Sequence, residues 1–415
     1  MAGVLIVVAL ASCTDDGASS PTVVPGTTTT TTTPERVDDG VLKIGVLLPE
    51  SGPGATIGQP LVDAALAAGD AINAVGGVLG KPIELVTGFD EGDSVSTARD
   101  SIASLIDKGV DAVVGPASST IALATLPDLL DAGILTCSPT ATAMALDNFP
   151  DRDLFFRTAP SDSLQAVAMA DEAERTGALT AAVVYLDDRY GRPLANATIE
   201  ALQADNITVD EPIGFVADDD SLVDEAHQVI NSDAGVIIVI GDTDHGTRML
   251  SSIGEVTGVM PGEVQPTIIV NDAMRRPSSP QQIAQLAPDV RARIIGLAPS
   301  ATGGLPDEPP GAYATNAYDC VNLIALASAQ ATSDDPAAIA AQMVSVSDGG
   351  VTCRLFAECV DLMAQVPNVN YEGPGGQVQL GSDGDPAWYR FDTWGYDEQG
   401  IDYALASSPI PVNRS

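Results

Sequence analysis

Two short turns concentrate hydroxyl groups beside backbone that could hold an anion. Gly115-Pro116-Ala117-Ser118-Ser119-Thr120 and Ser138-Pro139-Thr140-Ala141-Thr142 each set Ser and Thr behind a Gly or Pro, just ahead of a helical pattern. Hydroxyls at a helix start satisfy backbone N–H groups that have no partner within the helix. The same N–H groups, at the positive end of the helix dipole, can hold a carboxylate without any arginine. Capping alone would explain one such turn; two at neighbouring strand ends favour an anion site. A third turn, Asn271-Asp272-Ala273, puts an acid beyond a strand, and a fourth, residues 51–58, is rich in glycine.

Other chemistries fit less well. Gly52-x-Gly54-x-x-x-Gly58 follows a strand and precedes a helix, as a dinucleotide-binding turn would. Pro53, however, removes an N–H that would face phosphate. The acid that ends the next strand, Asp90, also comes later than the roughly twenty residues that ribose recognition favours. An NAD-dependent enzyme is therefore a remote alternative. There is no G-x-S-x-G elbow, and the only histidines, His227 and His245, lie on polar segments without an evident nucleophile. No HExxH or Cys/His spacing marks a zinc site. We expect no catalytic residues, no metal and no cofactor.

The 415 residues carry 57 acids against 18 bases, a formal charge of −39, with 45% hydrophobic residues. The length suits two cores rather than one. With no basic run, the chain has no polybasic patch for an anionic membrane and no cluster of cations to neutralise nucleic-acid phosphates. No apolar stretch is long enough to span a bilayer as a helix. Residues 4–10 form a short apolar run followed by Leu10-Ala11-Ser12-Cys13, which resembles the lipobox of bacterial lipoproteins. That resemblance implies that residues 1–13 are an export signal and that Cys13 is diacylated, although no Lys or Arg precedes the run. Residues 14–40, with seven consecutive threonines from Thr27 to Thr33, have little to bury and read as a disordered tether. Setting Cys13 aside leaves Cys137, Cys320, Cys353 and Cys359. An even count suits an oxidising compartment, though four buried thiols would fit as well. If Cys353 and Cys359 close a small loop, Cys137 and Cys320 pair by elimination.

The body reads as alternating strands and helices. β-rich runs fall at residues 42–48, 83–89, 112–115, 134–137, 181–186, 213–216, 235–240, 267–270 and 294–297, several of them continuously apolar, as buried parallel strands are. Amphipathic stretches at 61–74, 96–108 and 164–176 lie between them. This alternation implies an α/β fold with two doubly wound, Rossmann-like sheets. Ligands then bind beyond the carboxyl ends of the strands, where the four turns lie.

From about residue 41 to 410 the chain resembles the periplasmic leucine/isoleucine/valine-binding family, the substrate-binding subunits of branched-chain amino acid ABC transporters. The resemblance rests on the order and spacing of several short motifs. They are Ile44-Gly45-Val46-Leu47-Leu48-Pro49, residues 72–82, residues 113–119, residues 138–142, Phe155-Phe156-Arg157-Thr158-Ala159-Pro160-Ser161-Asp162, Tyr190-Gly191 and Ala317-Tyr318-Asp319. It implies a type I periplasmic binding fold, two lobes joined by a three-strand hinge. One lobe would be 41–158 plus 274–380, the other 159–273 plus 381–411. It further implies that Ser118, Ser119 and Thr142, with backbone at Ala117 and Ala141, hold a ligand carboxylate. Tyr190 would close over it and Asp272 would pair with the ammonium. The family more often has a glutamate at the position of Asp272. Asp242, in the acidic turn 241–246, could favour a cationic or polar ligand; a solvated loop is its plainer reading. The expected protein is a monomeric, lipid-anchored, extracytoplasmic solute-binding protein that hands an amino-acid-like ligand to an ABC permease. The alternative is a sensor of the same fold for amides, urea or aromatic acids.

Overall fold

The computed structural model describes residues 39–52, 54–92, 94–257, 265–275, 279–300, 313–405 and 410–413. Cys13 and the tether up to residue 38 lie outside the described residues.

Five parallel strands form the first sheet: β1 (Lys43–Leu48), β2 (Glu84–Asp90), β3 (Ala112–Val114), β4 (Leu135–Ser138) and β5 (Phe155–Arg157). Their order is β2-β1-β3-β4-β5, so the winding reverses between β1 and β3. The middle strands are wholly buried, as their apolar runs require. The second sheet holds β6 (Thr180–Leu186), β7 (Thr208–Val209), β8 (Ile213–Phe215), β9 (Val236–Ile240), β10 (Thr267–Val270) and β11 (Ile294–Pro299). A small third sheet joins β12 (Val351–Cys353), β13 (Val369–Gly373) and β14 (Gly376–Gln377). Finally β15 (Trp388–Tyr396), β16 (Asp402–Ala404) and β17 (Ile410–Asn413) return to the second sheet. Its order is β16-β15-β11-β10-β9-β6-β7, with β8 also on β6 and β17 on β15, and its winding reverses between β6 and β9.

Helices cover both sheets. On the first are α1 (Ala55–Ala74), α2 (Val95–Asp107) and α3 (Ser119–Asp131). On the second are α4 (Asp162–Arg175), α5 (Gly191–Ala204), α6 (Val223–Asn231), α7 (Thr243–Thr257), α8 (Ser279–Ile283) and α9 (Pro288–Arg291). The chain then returns through α10 (Ala314–Ala331), α11 (Pro336–Met343) and α12 (Phe356–Met363). α10 is buried from Ala314 to Ser328 and shares one apolar cluster with α1 and the first sheet, which explains why it has no polar face. Two further clusters fill the two faces of the second sheet. This is the type I periplasmic binding architecture, two doubly wound α/β lobes.

All nine expected strands form. The short β5 and β7, and everything from β12 onward, were not expected. β5 has only three residues, and β15 mixes charged and aromatic side chains without a clean period. The expected return to the first lobe at residue 274 is corrected. β11 pairs in parallel with β10 and antiparallel with β15, so the second lobe extends to Pro299 and the chain crosses back between 299 and 314. Gly296 makes this register possible, because a Cβ there would lie 2.1 Å from the Trp394 ring.

Both expected disulfides form. Cys137–Cys320 ties β4 to α10, with Cα atoms 5.8 Å apart. Cys353–Cys359 closes the small loop between β12 and α12, with Cα atoms 5.3 Å apart.

Three connections link the lobes. Thr158, just past β5, donates its hydroxyl to Asn316 O at 2.9 Å. Asn316 Nδ2 donates to Thr158 O at 2.7 Å and to Tyr389 Oη at 2.9 Å. The residue just past β5, the first turn of α10 and the start of β15 therefore meet at one buried point.

Candidate functional site

The turns beyond β3 and β4 form one edge of the site. Ser118 caps α3, accepting from Ile121 N. The two turns are laced together. Thr140 Oγ1 donates to Ala117 O at 2.6 Å, and Ser119 Oγ accepts from Ala143 N at 3.2 Å. Ala141 N donates to Ser138 Oγ at 3.1 Å. The start of α3 already carries an internal carboxylate: buried Glu91 accepts from Ala117 N and, at 2.9 Å, from Ser118 N. The Ala117 amide expected to face a ligand is thus engaged by the chain itself. Ser119 and Thr142 remain as the hydroxyls nearer the second lobe.

Thr142 leads to the next group. Its carbonyl accepts from Asp162 N at 2.8 Å, and its side chain bonds the Asp162 carboxyl. Asp162 opens α4 behind the Ser161 cap and is only 3% exposed. Burial pushes its carboxyl up to about 8; the neighbouring Asp272 carboxylate adds to the rise, while Thr142 and Arg157 oppose it. Arg157, the cation that acts on it, is itself bound to Asp385 and Asp147.

The second lobe supplies the facing edge from the carboxyl ends of β6, β9 and β10. Tyr190 Oη donates to Asp272 Oδ1 at 3.2 Å and accepts from Asn271 Nδ2 at 2.9 Å. Tyr313, which precedes α10 in a left-handed conformation, donates to Asp272 Oδ2 at 2.5 Å. Asn271 Oδ1 also receives Gly241 N at 3.0 Å, fixing the β9 turn against the β10 turn. Burial, then Asp272 and Asp162, hold the Tyr190 phenol well above its usual value, so it stays a donor.

The structure therefore brings Ser119, Ala141, Thr142, Tyr190 and Asp272 into one connected network and adds Asp162, Tyr313 and Asn271. Asp242 is different. Its carboxylate accepts from His245 N at 2.9 Å and meets His245 Nδ1 at 2.8 Å, which caps α7 and occupies the acid locally. Asp162 stands within a sequence motif quoted above, yet only its burial against Asp272 marks it as part of the site. Tyr313 and Glu91 had no local signal. Among the described residues, no group of three or more His, Cys, Asp or Glu could hold a metal ion, and no helix is long and apolar enough to cross a membrane.

Two doubly wound α/β lobes, with hydroxyl turns laced together at the strand ends of one and an acid gripped by two phenols at the strand ends of the other, have the architecture of a solute-binding protein. Residues 41–269 match the family model described as periplasmic binding protein. The chain belongs to that family, whose members are substrate-binding proteins that work outside the cytoplasm. It is 30% identical over 355 residues to the chemotactic signal transduction system substrate-binding protein BasB of Halobacterium salinarum, covering 81% of this chain and 83% of that one. It is 27% identical over 328 residues to Leu/Ile/Val-binding protein homolog 3 of Brucella melitensis, covering 72% and 82%. Its fold is similar to the branched-chain amino acid transporter substrate-binding protein LivJ of Streptococcus pneumoniae in complex with isoleucine. That match has a TM-score of 0.66 and 21% identity, covering 89% of this chain and 99% of that one.

Proposed function

We propose that the chain captures a small amino-acid-like solute between its lobes and delivers it to an ABC importer. Asp272 and Asp162 receive the ammonium group. The Ser118, Ser119 and Thr142 hydroxyls, with backbone at Ala141, receive the carboxylate. Tyr190 and Tyr313 bridge the lobes to Asp272 and complete the closed form. The observation that carries this reading is the buried Asp162 carboxyl, which desolvation lifts to about 8 and which also feels the Asp272 charge, a second contribution to the rise. Two such acids at one crevice call for a cationic group, and an ammonium arriving there converts a repulsive pair into a satisfied one. Tethering through Cys13 at the outer face of the membrane is part of this proposal.

A second reading shares the same site. The similarity to a chemotactic substrate-binding protein favours a closed form read by a sensory receptor rather than by a permease. Ligand and partner are separable questions. Thermal-shift screening with amino acids, their des-amino acids, amides and benzoate addresses the first, because a ligand that binds only the folded state raises its melting temperature. The proposal expects amino acids to stabilise and des-amino acids to have no effect. Stabilisation by benzoate or amides with no amino acid active would overturn it. Pull-down with the ligand-loaded protein separates permease from receptor.

A further inference from the structure

Arg157 is the last residue of β5, and all five of its guanidinium N–H groups are accounted for. Nε donates to Asp385 Oδ1 at 2.5 Å, and Nη2 donates to Asp385 Oδ2 and, at 2.7 Å, to Asp147 Oδ1. Nη1 donates to Ala141 O and Ala143 O, both at 3.2 Å. Those carbonyls flank Thr142, the residue that bonds Asp162. Asp147 also takes the Ser161 hydroxyl at 2.7 Å, one residue before Asp162. Asp385 belongs to the connection that leads into β15. That connection is also bonded through its backbone, with Arg157 N donating to Gly384 O at 2.9 Å. Gly384 has φ +80°, and a Cβ there would lie 2.3 Å from Phe155 O, so the approach needs glycine.

We propose that Arg157 is a positioning residue that fixes the Thr142 turn to the first and third inter-lobe connections, so that the ligand-binding turn and the hinge move as one unit. The geometry carries this in three parts. Arg157 is fully buried, so its bonds are not exchanged with water. Its planar fork engages two carboxylates and two carbonyls at once, which a lysine cannot do. Its side-chain partners lie in two separate stretches, the turn at 141–147 and Asp385, which is 228 residues away, and Asp147 carries the link on to Ser161. The inference rests on the proposed function only in treating the Thr142 turn as the carboxylate-binding element.

The test uses Asp385→Asn and Arg157→Lys in the full chain. Hydrogen exchange without ligand is read for peptides covering residues 139–147, 380–387 and, as a control, 236–240. Asp385 reaches the 139–147 turn through Arg157, so faster exchange there in D385N, about tenfold, with the control unchanged, supports coupling through Arg157. Faster exchange confined to 380–387 overturns it. Leucine and isoamylamine, its decarboxylated amine, give the second reading. The inference expects D385N and R157K to weaken leucine at least tenfold and isoamylamine less than twofold. Equal weakening of both, as a merely structural role would give, overturns it. If R157K does not fold, D385N alone decides. Absence of leucine binding by the unaltered chain counts against the amino-acid reading, while the exchange measurement still judges Arg157.

Discussion

The two lobes bring different materials to the proposed site. The first lobe offers hydroxyls and backbone from turns that are laced to each other and bolted to α10 and the hinge by Cys137–Cys320 and Arg157. The second lobe, which contains no cysteine, offers side chains on three strand ends, Tyr190, Asn271 and Asp272, held by hydrogen bonds alone. Partial charges on backbone and hydroxyls discriminate only when their geometry is fixed, so the anion side needs a rigid platform. A full charge tolerates more play, so the cation side can ride on the moving lobe. Two buried acids make the same contrast. Asp319 of α10 is pushed to about 8 by burial alone and accepts from Tyr371 Oη at 2.8 Å and Gly375 N at 3.2 Å. Asp162 reaches a similar value with a second carboxylate for a neighbour. One is a closed internal latch; the other is the acid to which the proposed function brings a cation.

The largest effect should come from the platform. Replacing both cysteines of Cys137–Cys320 by serine releases a closure of 183 residues, and replacing those of Cys353–Cys359 releases one of 6. Chain entropy then predicts losses of about 5 and about 2 kcal/mol, read by denaturant unfolding. A reversed order would show that the second pair holds more than its own loop. On the cation side, Asp272→Ala should weaken amino-acid binding roughly a hundredfold, about 3 kcal/mol, by calorimetry, since it removes the ammonium partner and leaves two phenols without their acceptor. An unchanged affinity would remove Asp272 from the site.

The two raised carboxyls sharpen the contrast through pH. An acid whose folded value lies above its unfolded one keeps its proton longer when folded. Stability is therefore greatest below about pH 4 for these groups and falls as pH rises toward about 8. Ligand should affect only Asp162. Binding of an ammonium there should release up to about one proton near neutral pH, seen as a buffer-dependent binding enthalpy, and Asp162→Asn should abolish the release. Asp319→Asn should leave that release intact, cost about 1 kcal/mol of stability at pH 5 and become stabilising by pH 8, where the aspartate has lost the stability its raised carboxyl gives in acid and the asparagine has no charge to bury. Proton release that survives D162N would move the cation site elsewhere.

Much of this was legible beforehand. Apolar runs such as Val-Ile-Ile-Val-Ile at β9 announce a central parallel strand from composition alone. Ser118 and Ser161 cap helices as their types suggest. β11 was seen as a strand but put in the wrong lobe, because the choice between sheets depends on partners and on the Gly296–Trp394 fit. Asp242 and Asp272 look alike in sequence, since nothing local tells an acid that caps a helix from one gripped by two phenols.

The chain's order of residues determined its strand–helix alternation, its even set of cysteines and its hydroxyl turns, because period, count and capping are properties of short stretches. Only the tertiary structure decided that Asp162 meets Asp272, that Tyr313 shares Asp272 with Tyr190, that Glu91 fills the start of α3 and that Arg157 joins a binding turn to the hinge. Desolvation and the sum of nearby charges depend on what the fold places around a group, and no local stretch of sequence contains them.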